Sequence, residues 1–378
     1  MSTPRLSISR RQRATPYTPR VEALGVSGYS IVNHTNLPKG FTKSVEDDYW
    51  HLKKHVQLWD VGCQRQVEIR GPDAAKLTQL MTPRDLSNAR IGRCLYAPII
   101  DENAGMLNDP IILKLAEDHY WLSISDSDLL LWARGLAVGM KLNVAIDEPD
   151  VWPLAVQGPK SDDLMAKVFG AAVRDIRFFR FEELDFLGHP MIVARSGFSK
   201  QGGFEIYLDQ PALALELWDA LWDAGEDFNV SPGCPNLIER VEAGLLSYGN
   251  EMTRQNNPLE CGFDQYCKLD GSIDFIGREA LQGIAERGPD RLIRGVIFDG
   301  DACPACQYPW PVEVDGKKIG HVTSAIWSPR FGKNVGLAMI DRGFWKPGNR
   351  LTVRSGDGLT RNGVISNLPI SDSEIGFT

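Results

Sequence analysis

His51 and His55 stand one helical turn apart, the spacing at which two imidazoles can share a metal ion. Between them lie Leu52, Lys53 and Lys54, so the glutamate of a zinc-peptidase motif is missing and two lysines would repel a cation. We read them as exposed surface histidines. Cys303 and Cys306 have the spacing of a redox or zinc pair. No second pair follows to complete a zinc site, and the segment does not open a helix after a strand as a redox motif would. They read as two thiols on a loop. The chain has neither a phosphate-binding P-loop nor the glycine-flanked serine of a nucleophile elbow, and Gly202-Gly203 marks a tight turn. Metal, nucleotide and serine-hydrolase chemistry are left without a foothold, and no metal site is expected.

Any working site must then be held by the elements around these motifs. The spacing of Val45, Tyr49, Leu52, Val56 and Trp59 predicts a helix over 44–59, with Ser44 as N-cap and Asp47 three residues on. Leu213, Leu217 and Leu221 predict a second helix over 212–224. A third is expected from about 235 to 248, with Pro235 in its first turn and Ile238, Val241, Leu245 and Tyr248 on one side. Strands are expected at 111–115 and 119–125 around Glu117-Asp118, at 178–187 and 190–195 around Gly188-His189-Pro190, and at 204–208.

From about residue 290 the texture changes. Short strands at 292–298, 311–314, 319–326, 335–340, 350–354 and 361–366, separated by Gly, Asp and Pro turns, read as a small barrel. The expected class is α+β, with an N-terminal region over 1–288 and a C-terminal β-barrel domain over 289–378; the break falls near Gly288-Pro289.

A chain of 378 residues has room for two or three domains and a core that needs no disulfides. Its net charge of −8 disfavours a nucleic-acid partner, and no run approaches the length of a membrane-spanning helix. Seven scattered cysteines fit a reducing cytoplasm better than a secreted scaffold. Residues 1–21 carry Arg5, Arg10, Arg11, Arg13 and Arg20 and no acid, a composition shared with transit peptides; we read them as a basic arm of the mature protein. A homodimer is possible, but nothing in the sequence sets the oligomeric state.

Several stretches, in order along nearly the whole chain, resemble the glycine cleavage T-protein (aminomethyltransferase) family. They are Asn103-Ala-Gly-Met-Leu-Asn-Asp109, Ala155-Val-Gln-Gly-Pro-Lys160, Arg195-Ser-Gly-Phe-Ser-Lys-Gln-Gly-Gly-Phe-Glu205, Asn257-Pro-Leu-Glu-Cys-Gly262 and Thr323-Ser-Ala-Ile-Trp-Ser-Pro-Arg-Phe-Gly-Lys333. The resemblance is closer still to the demethylase branch of that family, through blocks such as His55-Val-Gln-Leu-Trp-Asp60, Pro98-Ile-Ile-Asp-Glu-Asn103 and Gly233-Cys-Pro-Asn-Leu-Ile-Glu-Arg240. It implies a three-domain cloverleaf around a folate site, with tetrahydrofolate as cofactor. The implied reaction moves a methyl group from the sulfonium of dimethylsulfoniopropionate to N5 of tetrahydrofolate, leaving 3-(methylthio)propanoate.

The resemblance also implies roles. Glu205 holds the family position that binds the pterin; the other reading is a solvated strand carboxylate. Tyr96 matches a tyrosine near the pterin, or is a core aromatic. Asp109 matches an aspartate beside the reacting folate nitrogens, where it would orient and stabilise positive charge; the alternative is a turn cap before Pro110. For the sulfonium the aromatic candidates are Tyr29, Phe178, Phe179, Phe198 and Tyr207, with Phe198 and Tyr207 favoured because they flank Glu205. Lys200 is a candidate for the donor's carboxylate. Phe198 stands where the demethylase pattern has Trp, Asn108 where the family has a first aspartate, and Asn236 where the glycine-cleavage pattern has Arg. A betaine-type donor, a folate-binding protein without catalysis, and a glycine-cleavage aminomethyltransferase are the other readings.

Overall fold

The computed structural model describes residues 9–377, so Arg5 of the basic arm lies outside the described residues. The chain divides into two compact units, each built from separate stretches. The first takes residues up to Val67, Glu148–Gly197 and Gln201–Pro235; the second takes Glu68–Asp147, Phe198–Lys200 and the chain from Asn236 onward.

The first unit is built on a six-stranded sheet in the order Phe181–Phe186, His189–Ala194, Gly203–Leu208, Trp152–Gln157, Val56–Asp60, Val230–Gly233. Every pair is antiparallel except the last. Side chains alternate across a strand. Phe204, Ile206 and Leu208 therefore share one face with Leu154, Val156, Val56 and Leu58, and that face packs on Leu164, Met165, Leu217, Trp218 and Leu221 of helices Ser161–Phe169 and Ala214–Gly225. The opposite face carries Trp59 and Ala155, and by the same alternation Glu205 and Tyr207.

The helix expected over 44–59 is a correction. Ser44 caps it as predicted, its Oγ accepting from Asp47 N at 3.0 Å, but the helix is Val45–Lys54. His55 leaves helical geometry, and Val56–Asp60 is a strand between two others. Val56 and Trp59 continue a helical stripe by coincidence, while the buried run Val56–Asp60 also suits a strand covered on both faces. The third expected helix shortens to Leu237–Ala243, because Gly244 turns left-handed at φ +67°. The second is found as Ala214–Gly225.

The second unit holds a five-stranded sheet in the order Ala145–Asp147, Gln66–Arg70, His119–Ser123, Ile111–Ala116, Arg93–Tyr96. It also holds the predicted barrel, with all six strands in place and closed: Arg291–Phe298, Lys333–Asp341, Lys317–Ser328, Trp310–Val314, Arg350–Arg354, Thr360–Ser366. Alternation again sorts the barrel strands. Val296, Phe298, Ala338 and Ile340 fill the barrel, whereas Ile293, Ile297, Leu337 and Met339 face out onto Val241, Phe275 and Leu281. Among the described residues no helix is long and apolar enough to cross a membrane.

Candidate functional site

In the second unit, Asp109 follows strand Met106–Asn108 and precedes Pro110. It is 8% exposed. Tyr96 Oη donates to its Oδ2 at 2.9 Å, and Ser125 Oγ donates to its Oδ1 at 2.6 Å. Burial pushes the Asp109 carboxyl up to about 6; the two hydroxyl donors oppose that rise, and Glu251 adds slightly to it. The carboxylate is thus bound to two side chains and is not a solvated turn cap.

Tyr96 ends strand Arg93–Tyr96 and is packed edge-on by Phe263 and Tyr266, at ring-centroid distances of 5.4 and 5.2 Å. Arg84 fixes the backbone here by donating to the Tyr96 carbonyl, and its guanidinium lies 5.0 Å from the Tyr266 ring centroid. Burial, then Asp109, drives the Tyr96 phenol well above its ordinary value, so it stays a donor. It serves both as a packed aromatic and as the hydroxyl partner of Asp109.

In the first unit, Glu205 is the middle of strand Gly203–Leu208 and is 5% exposed, which excludes a solvated strand carboxylate. Its register partners on either side are both alanines, Ala155 and Ala194. Ser196 Oγ donates to Glu205 Oε2. Burial raises the Glu205 carboxyl and Ser196 opposes it; no cation among the described residues pairs with it.

The glycines of the Arg195–Glu205 stretch now have a cause. Gln157 Nε2 donates to the Ser196 carbonyl at 3.1 Å, and a Cβ on Gly197 or Gly203 would stand 2.1 or 2.5 Å from that same nitrogen. Both glycines also sit at positive φ, +149° and +146°, where a side chain is strained.

Tyr207 lies two residues beyond Glu205 on the same face and is 1% exposed. Tyr29 sits on strand Gly28–Val32, half-buried against the apolar core of the first unit. Burial, Glu22 and Asp60 push its phenol up to about 12. Phe179 is half-buried with φ +58°, its ring 4.6 Å from that of the exposed Phe178. Phe198 is half-buried and Lys200 exposed, and both group with the second unit, whereas Glu205, Tyr207, Tyr29 and Phe179 group with the first. Within a unit, then, the structure joins Tyr96 to Asp109 and places Glu205 and Tyr207 on one sheet face.

Sequence reasoning missed Ser125 and Ser196. Ser125 stands 16 residues from Asp109, and no spacing rule links them. Ser196 was findable, since it sits inside the quoted glycine-rich stretch. The histidine pair is corrected: His51 is 8% exposed, its Nε2 lies 2.9 Å from the Asn229 carbonyl oxygen, and burial lowers it to about 4; His55 is half-buried. Cys303 and Cys306 do lie on a loop, and burial raises their thiols to about 11 and 12, which favours the protonated form at neutral pH. No group of three potential metal ligands occurs among the described residues.

Residues 17–271 match the GCVT N-terminal domain, and 291–372 match the glycine cleavage T-protein C-terminal barrel domain. The chain belongs to the glycine cleavage T-protein family. Among family relatives, it is 54% identical to the dimethylsulfoniopropionate demethylase of Ruegeria pomeroyi, over 93% of this chain and 95% of that one. It is 33% identical to the aminomethyltransferase of Lysinibacillus sphaericus, over 84% and 87%. The family fold is also seen in the glycine cleavage aminomethyltransferase of Bartonella henselae, with a TM-score of 0.84 at 22% identity over 95% of this chain and 98% of that one.

Proposed function

We propose that this T-protein family member is an enzyme that transfers a methyl group from dimethylsulfoniopropionate to tetrahydrofolate, giving 3-(methylthio)propanoate and 5-methyltetrahydrofolate. The observation that carries the reading is the 54% identity, over 93% of the chain, to a dimethylsulfoniopropionate demethylase. The site's chemistry agrees. Glu205 is a buried carboxylate with a hydroxyl donor and, among the described residues, no cation, so a ligand that brings N–H groups would complete it. The amino-pyrimidine edge of a pterin is such a ligand.

Tetrahydrofolate, when bound, supplies N5 as the nucleophile. The methyl group would pass to it from sulfur, which would keep the electron pair of the broken S–CH3 bond, and the N5 proton would be lost to solvent once the site opens. The chain's own part is to hold and to exclude water; orientation alone is worth roughly 7–11 kcal/mol. Glu205 accepts from the pterin, and Tyr96 is the other residue assigned to folate binding. Asp109, ionised above about pH 6, stabilises the positive charge that develops on N5. Tyr29, Phe179, Phe198 and Tyr207 are the ring candidates for the sulfonium, and Lys200 is the candidate for the donor's carboxylate. Residues 1–288 form the folate- and donor-binding region, as two interleaved α+β domains, and 289–378 the barrel domain. The protein acts in the cytoplasm.

The test is incubation with tetrahydrofolate and one donor at a time, measuring 5-methyltetrahydrofolate. Product from dimethylsulfoniopropionate is expected. Product from a betaine alone, or dependence on a lipoylated carrier protein, would replace the reading. Glu205→Ala should weaken folate binding by about 1.5–3 kcal/mol, the value of a hydrogen bond to a charged group. Unchanged affinity by titration calorimetry removes Glu205 from the pterin role.

A further inference from the structure

Asn108 precedes Asp109 and is fully buried, with 0% of its surface exposed. Its side chain makes three hydrogen bonds, all to the stretch 125–127. Nδ2 donates to the Ser125 carbonyl at 3.1 Å and to Ser127 Oγ at 2.8 Å, while Oδ1 accepts from Ser125 N at 3.1 Å. Residues 125–127 belong to no helix or strand. Asn108 itself is fixed by its strand, where it pairs with Ile99. The carboxamide is thus a clamp that runs from a strand to an otherwise irregular stretch, and the residue it grips on both backbone sides is the one whose hydroxyl donates to Asp109.

A carboxylate at 108 could not do this. It could still accept from Ser125 N, but it would set an oxygen without a hydrogen against the Ser125 carbonyl. The clamp needs one group that donates and accepts at once, and the carboxamide is that group.

We infer that Asn108 is a positioning residue for Asp109: it holds Ser125 so that the serine hydroxyl stays on Asp109 Oδ1. The titratable groups that face Asp109 are Tyr96, Tyr248, Cys261 and Glu251. None is a cation, so hydrogen bonds are what oppose the burial of its charge, the Ser125 hydroxyl first, then that of Tyr96 and a backbone N–H. The kinetic part of this inference rests on the methyl-transfer reading above; the ionisation part does not.

The experiment follows Asp109 directly. Aspartate labelled with 13C at the carboxyl is incorporated, and the Asp109 resonance is assigned by its loss in Asp109→Asn. In the unaltered protein it should titrate near pH 6. Ser125→Ala should move that midpoint up by about one pH unit or more, the effect of losing one hydrogen bond to a charge, and Ser125→Thr should restore it. Asn108→Ala should give a shift of similar size. The double variant should shift no further than Ser125→Ala alone, because the two residues act in series. The acid limb of kcat/KM for demethylation should move with the resonance in each variant, a displacement that a merely structural loss would not produce. If Asn108→Ala does not fold, Asn108→Ser, whose hydroxyl is too short to bridge to both serines, gives the same reading. An Asp109 midpoint that Asn108→Ala leaves in place, or shifts that add in the double variant, overturns the inference. Absence of demethylation in the unaltered protein would overturn the functional reading and leave the resonance measurement standing.

Discussion

Asp109 and Glu205 are both buried carboxylates with no cation partner among the described residues, and their surroundings suit them to different work. Asp109 has a hydroxyl on each oxygen and is already satisfied, which suits a fixed negative charge. Glu205 has one, which suits a group that binds by accepting. At this scale the sequence was legible in part. The positions of Asp109 and Glu205 could be read from the stretches around them. Their serines could not, because a hydroxyl and its carboxylate meet through folding and not through spacing. Phe198 is the residue-scale test of donor choice. A tryptophan offers a larger and more negative ring face to a cation, by about 0.5–1 kcal/mol. Phe198→Trp should therefore lower KM for the sulfonium donor roughly two- to fivefold, with KM for tetrahydrofolate unchanged, read from initial rates at saturating cosubstrate. Equal KM values for the donor would take Phe198 out of the donor pocket.

Elements were easiest to read where one period acted alone. The six barrel strands each alternate between a barrel interior and a packed exterior, so Val296 and Ile297 point opposite ways and the period of two survives in the sequence. The run 44–59 failed because a capped helix passes into a fully buried strand after one residue, His55, with no Gly or Pro to punctuate the change. The helix Leu237–Ala243 was expected longer, but its start illustrates what the departure at 236 does. Asn236 Oδ1 accepts from Ile238 N at 3.0 Å and from Glu239 N at 3.3 Å, an N-cap that an arginine cannot supply. Asn236→Arg, which installs the glycine-cleavage residue, should destabilise the protein by about 1 kcal/mol through loss of that cap. Urea unfolding measures it, and Asn236→Asp, which keeps a capping oxygen, should lose much less. If both variants unfold alike, the cap is not what position 236 contributes.

At the scale of the molecule, each unit is stitched from chain segments far apart in sequence, and periodicity carries no information on which segments share a core. In the second unit a polar network does part of the joining. Arg240, on helix Leu237–Ala243, donates to Glu251 Oε2 at 2.7 Å and to Ser324 Oγ at 2.6 Å; Ser324 Oγ in turn lies 2.5 Å from Glu251 Oε1, and Ser247 N donates to Glu251 at 2.8 Å. The Glu251 side chain is 0% exposed and that of Arg240 only 9%, so helix, loop and barrel strand Lys317–Ser328 meet around a desolvated ion pair. Such a pair adds little net stability, because desolvation offsets its attraction, but breaking it leaves a charge buried alone. Glu251→Ala should therefore cost about 3–5 kcal/mol, whereas replacing the pair together, Arg240→Met with Glu251→Leu, should recover most of that loss. Because the barrel and the five-stranded sheet belong to one compact unit, the loss should appear as a single earlier transition. Hydrogen exchange can follow it, with amides of strands Lys333–Asp341 and Ile111–Ala116 losing protection together. Protection lost from the barrel strand while the sheet strand keeps its own would mean that the network holds only the barrel's edge, and that the second unit unfolds in parts.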